Sequence, residues 1–480
     1  MCIHIRKLIE SNILSDGSVK LPESFIYDSG TVHAMSEALI RIRNGGEIGD
    51  SQRDDDEWKL MNELVEKYSQ FETHNVNINR REGEVILLTG ATGLLGSHIL
   101  SELHGEDRIS KIYCLIRGES ESTCKESLSK ALVKRKLPGL EEVEALYRKI
   151  VCLPCQLSET YLGLSSEDWV RVIAESSIYI HAAWSVNFNL PLNSDEFRKH
   201  ITGTRNILNA ALSGRARFFF ISSTAAVSSN PSAAVKEEVS LDPSHASPLG
   251  YSRSKWVAER VCSKAYEQLR SNILAGASQD VDISIIRVGQ LCGNESGVWN
   301  MSEAYPLLLS TAGLIGCLPD LPNEVLNWLP VDQAARIVSD ITLADNSPKL
   351  SAHANTPVYH VLNFHDSPSW NQLVGWISAL PGHSSFDVVG SEEWLERLEL
   401  EFGKTQGDHP AQALVGLWKQ RYSSVVDGSK ASSPPSFDVT SSLRSSRTMR
   451  DMEPLSRDRI LGMWEWIEAN MKRHSRAYRT

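Results

Sequence analysis

Residues 85–96 read Val-Ile-Leu-Leu-Thr-Gly-Ala-Thr-Gly-Leu-Leu-Gly. An uncharged run of strand length passes straight into Gly90, and Gly93 and Gly96 follow at even spacing. So apolar a run suits a strand covered on both faces, and the glycines suit a tight turn that opens into a helix. In that setting each glycine has a task. Gly90 permits the turn, Gly93 lets the backbone approach a pyrophosphate, and Gly96 lets the helix pack on the strand. The helix beginning near Leu94 turns the positive end of its dipole toward the phosphates. A glycine triplet also occurs as a plain structural turn; the strand before it and the helix after it favour a dinucleotide site.

From Glu84 onward, runs of strand length alternate with helical segments. The strands fall at Val85–Thr89, Ile112–Ile116, Ile150–Leu153, Ser177–Ala182, Phe218–Ser222, Ile283–Arg287 and Val358–Leu362. This alternation predicts an α/β fold, a doubly wound parallel sheet of Rossmann-like type. After Pro368 the pattern turns helical and rich in tryptophan (Trp370, Trp376, Trp394, Trp418, Trp464, Trp466), which predicts a mainly helical C-terminal subdomain. The serine- and proline-rich run Asp427–Pro435 reads as a surface loop. Ahead of the sheet, Gly45-Gly46 and the acidic run Asp54-Asp-Asp-Glu57 read as a polar linker with solvated charges, followed by a helix near Trp58–Tyr68. The expected division is a short helical segment over 1–44, linker and helix over 45–80, a nucleotide-binding domain over 81–365 and a substrate-binding helical subdomain over 366–480.

With 480 residues, 41% of them hydrophobic, the chain can bury more than one core. Its net charge of −11 offers no electrostatic reason for nucleic acid or an anionic membrane as partner. Arg444, Arg447 and Arg450 are too dispersed for a basic patch. The apolar stretch around Ala304–Leu318 is too short and interrupted to span a bilayer, and the first residues lack a signal core. A soluble, cytoplasmic monomer is expected. Eight cysteines are scattered rather than spaced as a disulfide framework. Cys152-Leu-Pro-Cys155 has no second pair to complete a zinc site and follows a strand instead of opening a helix, so it reads as a reduced pair; no metal is expected.

The second strand ends at Arg117, where an NAD-binding fold offers a carboxylate to the ribose hydroxyls. A guanidinium matches a 2′-phosphate instead, which favours NADPH. Lys125 and Lys130 on the next helix add positive charge; a merely solvated strand-end arginine is the alternative. The fifth strand, Phe218-Phe-Phe-Ile-Ser-Ser-Thr, ends in hydroxyls at the carboxyl edge, where open parallel sheets hold their ligands. Thr224 is the candidate hydrogen-bond donor to a substrate carbonyl. Tyr251-Ser-Arg-Ser-Lys255 sets a phenol and an ammonium one helical turn apart on one face. Tyr251 would supply a proton as hydride reaches a carbonyl carbon, and Lys255 would lower the phenol pKa and hold the nicotinamide ribose. That spacing is commonplace on helices. Its place after the glycine turn and the Ser/Thr strand end gives it meaning.

Further stretches carry a more specific signal: His181-Ala-Ala-Trp-Ser-Val-Asn-Phe-Asn189, His200-Ile-Thr-Gly-Thr204, Tyr251–Arg260, Arg287-Val-Gly-Gln290, Gly297-Val-Trp-Asn300 with Glu303 and Pro306, and Asn327-Trp-Leu-Pro-Val-Asp332. With the glycine turn and the Tyr/Lys pair, they resemble the extended short-chain dehydrogenase/reductase superfamily. More narrowly, they resemble the thioester reductase domains that terminate nonribosomal peptide synthetase-like carboxylic acid reductases, particularly fungal ones, over residues 60–480. The resemblance implies Thr224, Tyr251 and Lys255 as catalytic residues. It implies cofactor contacts at Gly90, Thr92, Gly93, Leu94, Leu95, Gly96, Arg117, Gln156, Leu157, Ala182, Ala183, Tyr251, Lys255 and Val288. The implied activity is NADPH-dependent reduction of a thioester-bound acyl group to an aldehyde, with onward reduction to an alcohol left open.

Two departures qualify the resemblance. The usual Gly-Asp-Leu after the third strand, whose aspartate meets the adenine, is Cys155-Gln156-Leu157 here, so altered affinity is expected. The second arginine for the 2′-phosphate aligns with Ser127. Residues 3–41 resemble the back half of a phosphopantetheine carrier domain, whose Asp-Ser attachment pair would precede Met1. Two readings of this segment stay open, a truncated gene model and a free-standing reductase keeping a carrier remnant; the chain as it stands is expected to take its acyl-pantetheine thioester from a separate carrier protein. Two rivals stand beside this reading. One is a reductase or epimerase of a free small molecule such as an acyl-CoA or nucleotide sugar, which needs neither the carrier-like segment nor the Trp299-Asn300 stretch. The other is a non-catalytic NADP-sensing regulator, which has no use for Thr224, Tyr251 and Lys255 together.

Overall fold

Seven apolar runs form a single parallel sheet in the computed structural model: β1 (Glu84–Thr89), β2 (Ile109–Ile116), β3 (Ile150–Pro154), β4 (Ile178–His181), β5 (Arg217–Ser223), β6 (Ile283–Val288) and β7 (Val358–Val361). Their order is β7-β6-β5-β4-β1-β2-β3, every neighbouring pair parallel. The order reverses between β1 and β4, which opens a crevice at the carboxyl edge of those two strands. The structure describes residues 9, 32–43, 50–80, 82–140, 148–188, 190–274, 281–344, 355–382, 385–404, 409–422 and 435–477. The carrier-like stretch falls for the most part outside them, apart from a helix at Val32–Arg43; nearly all of the loop expected over Asp427–Pro435 also lies outside.

Both faces of the sheet are covered, which is why its strands read as unbroken apolar runs. On one side α1 (Asp50–Tyr68), α4 (Ser166–Glu175), α5 (Asp195–Gly214) and α6 (Gly250–Leu274) close a core containing Met61, Trp169, Ile207, Phe218 and Val257. On the other, α2 (Leu94–His104), α3 (Glu121–Lys134) and α8 (Val331–Leu343) close a second, around Ile99, Leu128, Phe219 and Ile337. Arg80, in the segment joining α1 to β1, donates to the carbonyls of Ser176 (3.1 Å), Gly214 (2.7 Å) and Arg215 (2.7 Å), capping α4 and α5 together.

A third core lies beyond the carboxyl edge. It unites α7 (Ala304–Ile315), α9 (Trp370–Ser378), α10 (Ser391–Lys404), α11 (Val415–Tyr422) and α12 (Arg457–Ala477) around buried Trp299, Trp328, Trp370, Trp394, Trp418 and Trp464. Segments on both sides of residue 365 build it. Between α11 and α12, Ser436–Phe437 pairs in parallel with Ala234–Val235 in a separate two-stranded sheet, and Met449 and Met452 join the second core. The Asp332 carboxylate and the Arg459 guanidinium, paired at 3.1 and 2.9 Å, tie α8 to α12.

The acidic run departs from the reading as a solvated linker. Residues 54–57 belong to α1, which packs on α6, and Asp54 and Glu57 (3.2 Å for Glu57) both pair with Arg253, a guanidinium buried on α6. Charge composition alone carries no sign of a partner so distant in sequence, whereas burial of Arg253 requires one.

Candidate active site

At the end of β1, Gly90 adopts φ +79°, and a Cβ there would meet Ala182 and Ala183 backbone atoms at 2.7 Å. A Cβ on Gly96 would fall on the Gly90 carbonyl, so α2 packs on the turn only because the side chain is missing. Gly93 is exposed and caps α2. That helix has no side-chain cap and no acidic residue in its first turn. Its leading N–H groups, at Leu94 and Leu95, thus keep their donors for an external anion. This is the fit expected for a dinucleotide pyrophosphate, with Thr92 beside it in the turn. The Arg135 guanidinium supports the turn from behind, donating to the Thr92 carbonyl at 3.0 Å.

A buried chain of hydrogen bonds fixes the crevice between β1 and β4. The Thr204 hydroxyl donates to the His200 carbonyl (3.0 Å) and accepts from His181 Nε2 (3.1 Å), so Nδ1 of the same ring is the acceptor for the Thr89 hydroxyl (2.8 Å). Thr89 Oγ1 in turn accepts the Ala183 N–H at 3.1 Å. Burial, with Lys255 and His200 nearby, holds His181 well below its ordinary pKa, consistent with this neutral tautomer. Ala182 and Ala183 are partly exposed beside Gly90 and carry only methyl groups there.

Arg117 follows β2 directly, is exposed, and makes no hydrogen bond or ion pair among the described residues. Lys125 is also exposed, while Lys130 is engaged with Glu126 at 2.6 Å. Gln156 has an exposed side chain at the end of β3, and Leu157 is half-buried against Gly203 of α5. Cys152 and Cys155 are free, buried thiols whose pKa burial pushes up to about 12, which leaves them inert.

The proton-handling groups gather where β5 ends against α6. Ser223 closes β5, and Thr224 opens the short turn Thr224–Ala226. The Thr224 hydroxyl is partly exposed and has no partner among the described residues. Ser223 instead accepts the Ala225 N–H at 3.2 Å and hydrogen-bonds Tyr251. Burial raises the Tyr251 pKa, and the Ser223 hydrogen bond opposes that shift. One turn on, Lys255 donates to the Ile221 carbonyl at 2.6 Å, and its ammonium lies over the rings of Trp184 (4.2 Å) and Phe220 (4.7 Å). Burial drives its pKa down to about 7, against the opposing pull of Glu259. Val288 ends β6 in register with Ser223.

Glu259, a further turn along α6, anchors this helix. Its carboxylate accepts from Ser222 Oγ (2.6 Å) and, twice over, from Arg287 (Nε at 3.0 Å, Nη2 at 2.7 Å). Arg287 Nη1 donates to His360 Nε2 at 3.1 Å, and His360 Nδ1 donates to the Asp438 carbonyl at 2.6 Å. Burial holds His360 down at about 3, so it accepts as a neutral ring. The structure thus brings Thr224, Tyr251, Lys255 and Val288 together beside the glycine turn. Ser223, Trp184 and His200 belong to the same assembly; the sequence reading quoted the stretches that carry them and gave them no role. The Gly297–Glu303 stretch lies in the third core, where Gly297 has φ +75° and Trp299 Nε1 donates to Glu303 at 3.1 Å.

Comparison with known proteins adds to this geometry. Residues 88–338 match the model of an NAD-binding family described as male sterility protein. The chain is similar to the non-canonical non-ribosomal peptide synthetase ascB of Acremonium egyptiacum, 29% identical over 457 residues, covering 91% of this chain and 38% of that protein. It is likewise similar to the carboxylic acid reductase of Neurospora crassa, 27% identical over 448 residues, covering 90% of this chain and 39% of that protein. The chain therefore spans about two fifths of the length of these relatives. Among solved structures, the terminal R domain from the myxalamid PKS-NRPS biosynthetic pathway superposes with a TM-score of 0.68 at 23% identity, over 86% of this chain and 98% of that one. That likeness is one of fold.

Proposed function

The chain belongs to the NAD-binding family described as male sterility protein, and from that premise we propose that it is an NADPH-dependent reductase of thioester-bound acyl groups. The observation that carries this reading is the meeting of Thr224, Ser223, Tyr251 and Lys255 at the carboxyl edge of β5, beside a helix N-terminus left uncapped at the glycine turn. A cofactor-sensing regulator has no need of the first four. The names of the relatives, a carboxylic acid reductase among them, support the same chemistry.

When bound, a reduced nicotinamide supplies hydride to an acyl carbonyl carbon. The turn at Gly90–Gly96 and the first N–H groups of α2 hold the pyrophosphate, and Arg117 takes the 2′-phosphate. Gln156 and Leu157 border the adenine, while Ala182, Ala183 and Val288 border the nicotinamide half. Thr224 donates its hydroxyl to the carbonyl oxygen, polarising it. Tyr251 delivers its phenolic proton to that oxygen as negative charge develops, giving a hemithioacetal. The Lys255 ammonium, close on α6, stabilises the phenolate left behind. Return of the hemithioacetal O–H proton to Tyr251 lets the C–S bond break, which releases an aldehyde and expels the pantetheine sulfur as a thiolate that takes a proton from water. An aldehyde carbonyl meets the same groups, so onward reduction to an alcohol requires no further residue.

The thioester is presented by a carrier protein, and the third core beyond the carboxyl edge covers the acyl group. Incubating the purified chain with a panel of acyl-pantetheine thioesters and NADPH, and identifying the product by mass spectrometry, tests the reading. NADPH oxidation with release of aldehyde or alcohol is expected. Absence of thioester-dependent oxidation across the panel would overturn it.

A further inference from the structure

Phe188 stands edge-on to the Tyr251 ring, with centroids 5.4 Å apart and planes at 89°. It is nonetheless 55% exposed, and Val186 is 66% exposed. Leu249, just ahead of α6, is also exposed. The segment carrying Val186 and Phe188 is pinned at both ends. Trp184 Nε1 donates to Ser254 Oγ at 3.3 Å, and the Ser185 N–H donates to His200 Nε2 at 3.1 Å. At the far end Leu192 is fully buried, and a Cβ on Gly250 would meet Leu192 N at 2.7 Å. The chain ahead of residue 186 is thus held, and Phe188, beside a buried phenol, stays in water together with Val186 two residues before it.

Single exposed apolar residues are ordinary and need no explanation. Here position separates them from the ordinary case. A reacting carbonyl that reaches the Tyr251 hydroxyl brings whatever it carries past the ring that covers the phenol. A wall of apolar side chains around a few polar groups is how small-molecule sites are usually lined. The side chains exposed here, Val186, Phe188 and Leu249, are all hydrocarbon, which favours an uncharged apolar occupant.

We propose that Phe188 and Val186 form the wall that receives an apolar acyl chain, with Phe188 setting the preference for its length. The inference rests on the thioester reading and names the class of acyl group that reading left open. Each methylene buried against the wall strengthens binding by about three- to four-fold.

The experiment compares acetyl-, hexanoyl- and decanoyl-pantetheine with the wild type, Phe188→Ser and Phe188→Leu, measuring kcat/KM with NADPH and affinity without it. The wild type is expected to gain with chain length. Phe188→Ser should flatten that dependence, with a loss that grows from acetyl to decanoyl, while the melting temperature stays nearly unchanged, and Phe188→Leu should keep most of it. An undiminished length dependence in Phe188→Ser, or an equal loss for all three thioesters, overturns the proposal. Binding of thioesters without any NADPH oxidation would instead mark failure of the reductase reading, and the affinity series would still decide the role of Phe188.

Discussion

The Lys255 ammonium lies 4.2 Å from the centroid of the Trp184 ring and 2.6 Å from the carbonyl oxygen of Ile221. Neither partner carries a formal charge, and the two nearest imidazoles, His181 and His200, are both held below their ordinary pKa by burial and so stay neutral. On its own helix the Glu259 carboxylate and the Cys262 thiol favour the charge, but Glu259 is shared with Arg287. Burial strips the ammonium of water, and an aromatic face and a carbonyl dipole offset only part of that loss, so its pKa is brought down to about 7.

A pH profile follows from that value. In the proposed mechanism the charged form of Lys255 assists Tyr251, and its fraction falls as pH rises through about 7. Hence kcat/KM for NADPH, which reports the free enzyme, should decline on the alkaline side of that point. A cation–π contact is worth about 0.5–2 kcal/mol, so Trp184→Leu should move the limb to lower pH by about 0.4–1.5 units. Trp184→Phe should move it less. An unmoved limb in Trp184→Leu would count against this account of the charge.

Tyr251→Phe removes the proton donor while the ring still packs against Phe188. General acid catalysis is typically worth about 10²–10⁴-fold, so kcat should fall by that order with NADPH affinity nearly intact. Ser223→Ala, which removes the hydrogen bond to the phenol and the cap on the Ala225 N–H but no proton donor to the substrate, should cost far less. Steady-state kinetics and cofactor titration on both variants check this; near-wild-type turnover by Tyr251→Phe would sink the mechanism.

Arg117→Ala should weaken NADPH binding far more than NADH binding, since only NADPH carries the 2′-phosphate. A charge-assisted hydrogen bond contributes about 1.5–3 kcal/mol, or roughly one to two decades in affinity. Fluorescence titration with both cofactors measures the ratio. Equal weakening would leave the phosphate to Lys125, since Lys130 is engaged with Glu126.

The seven strands were legible because full coverage on both faces leaves runs such as Ile283–Val288 without a charge before their end. β2 starts earlier than its apolar run because Ser110 and Lys111 lie at its solvated foot, where polar side chains cost the ladder nothing. The site was legible where chemistry is local: Gly90, Gly93 and Gly96 along one turn, and Tyr251 and Lys255 along one helix. It was not legible where the partner is remote. Nothing near Lys255 in sequence announces the Trp184 ring, and Ser223 and Thr224 are indistinguishable until the end of β5 turns one toward Tyr251 and leaves the other open.

The acidic run Asp54–Glu57 is the clearest case of a remote partner, and it yields the last prediction. Asp54 and Glu57 meet Arg253, whose side chain is 8% exposed and sits two residues beyond Tyr251 on α6. Removing both carboxylates leaves an uncompensated buried charge, which typically costs about 3–5 kcal/mol. Replacing the guanidinium with an apolar side chain of similar length removes the charge together with the need for partners. Asp54→Asn/Glu57→Gln should therefore destabilise the protein markedly, whereas the triple variant that adds Arg253→Met should recover much of the loss. Urea unfolding of the three proteins measures this directly. Equal stability of the double variant and the wild type would mean that water, not α1, solvates Arg253, and would restore the reading of the acidic run as a solvated linker.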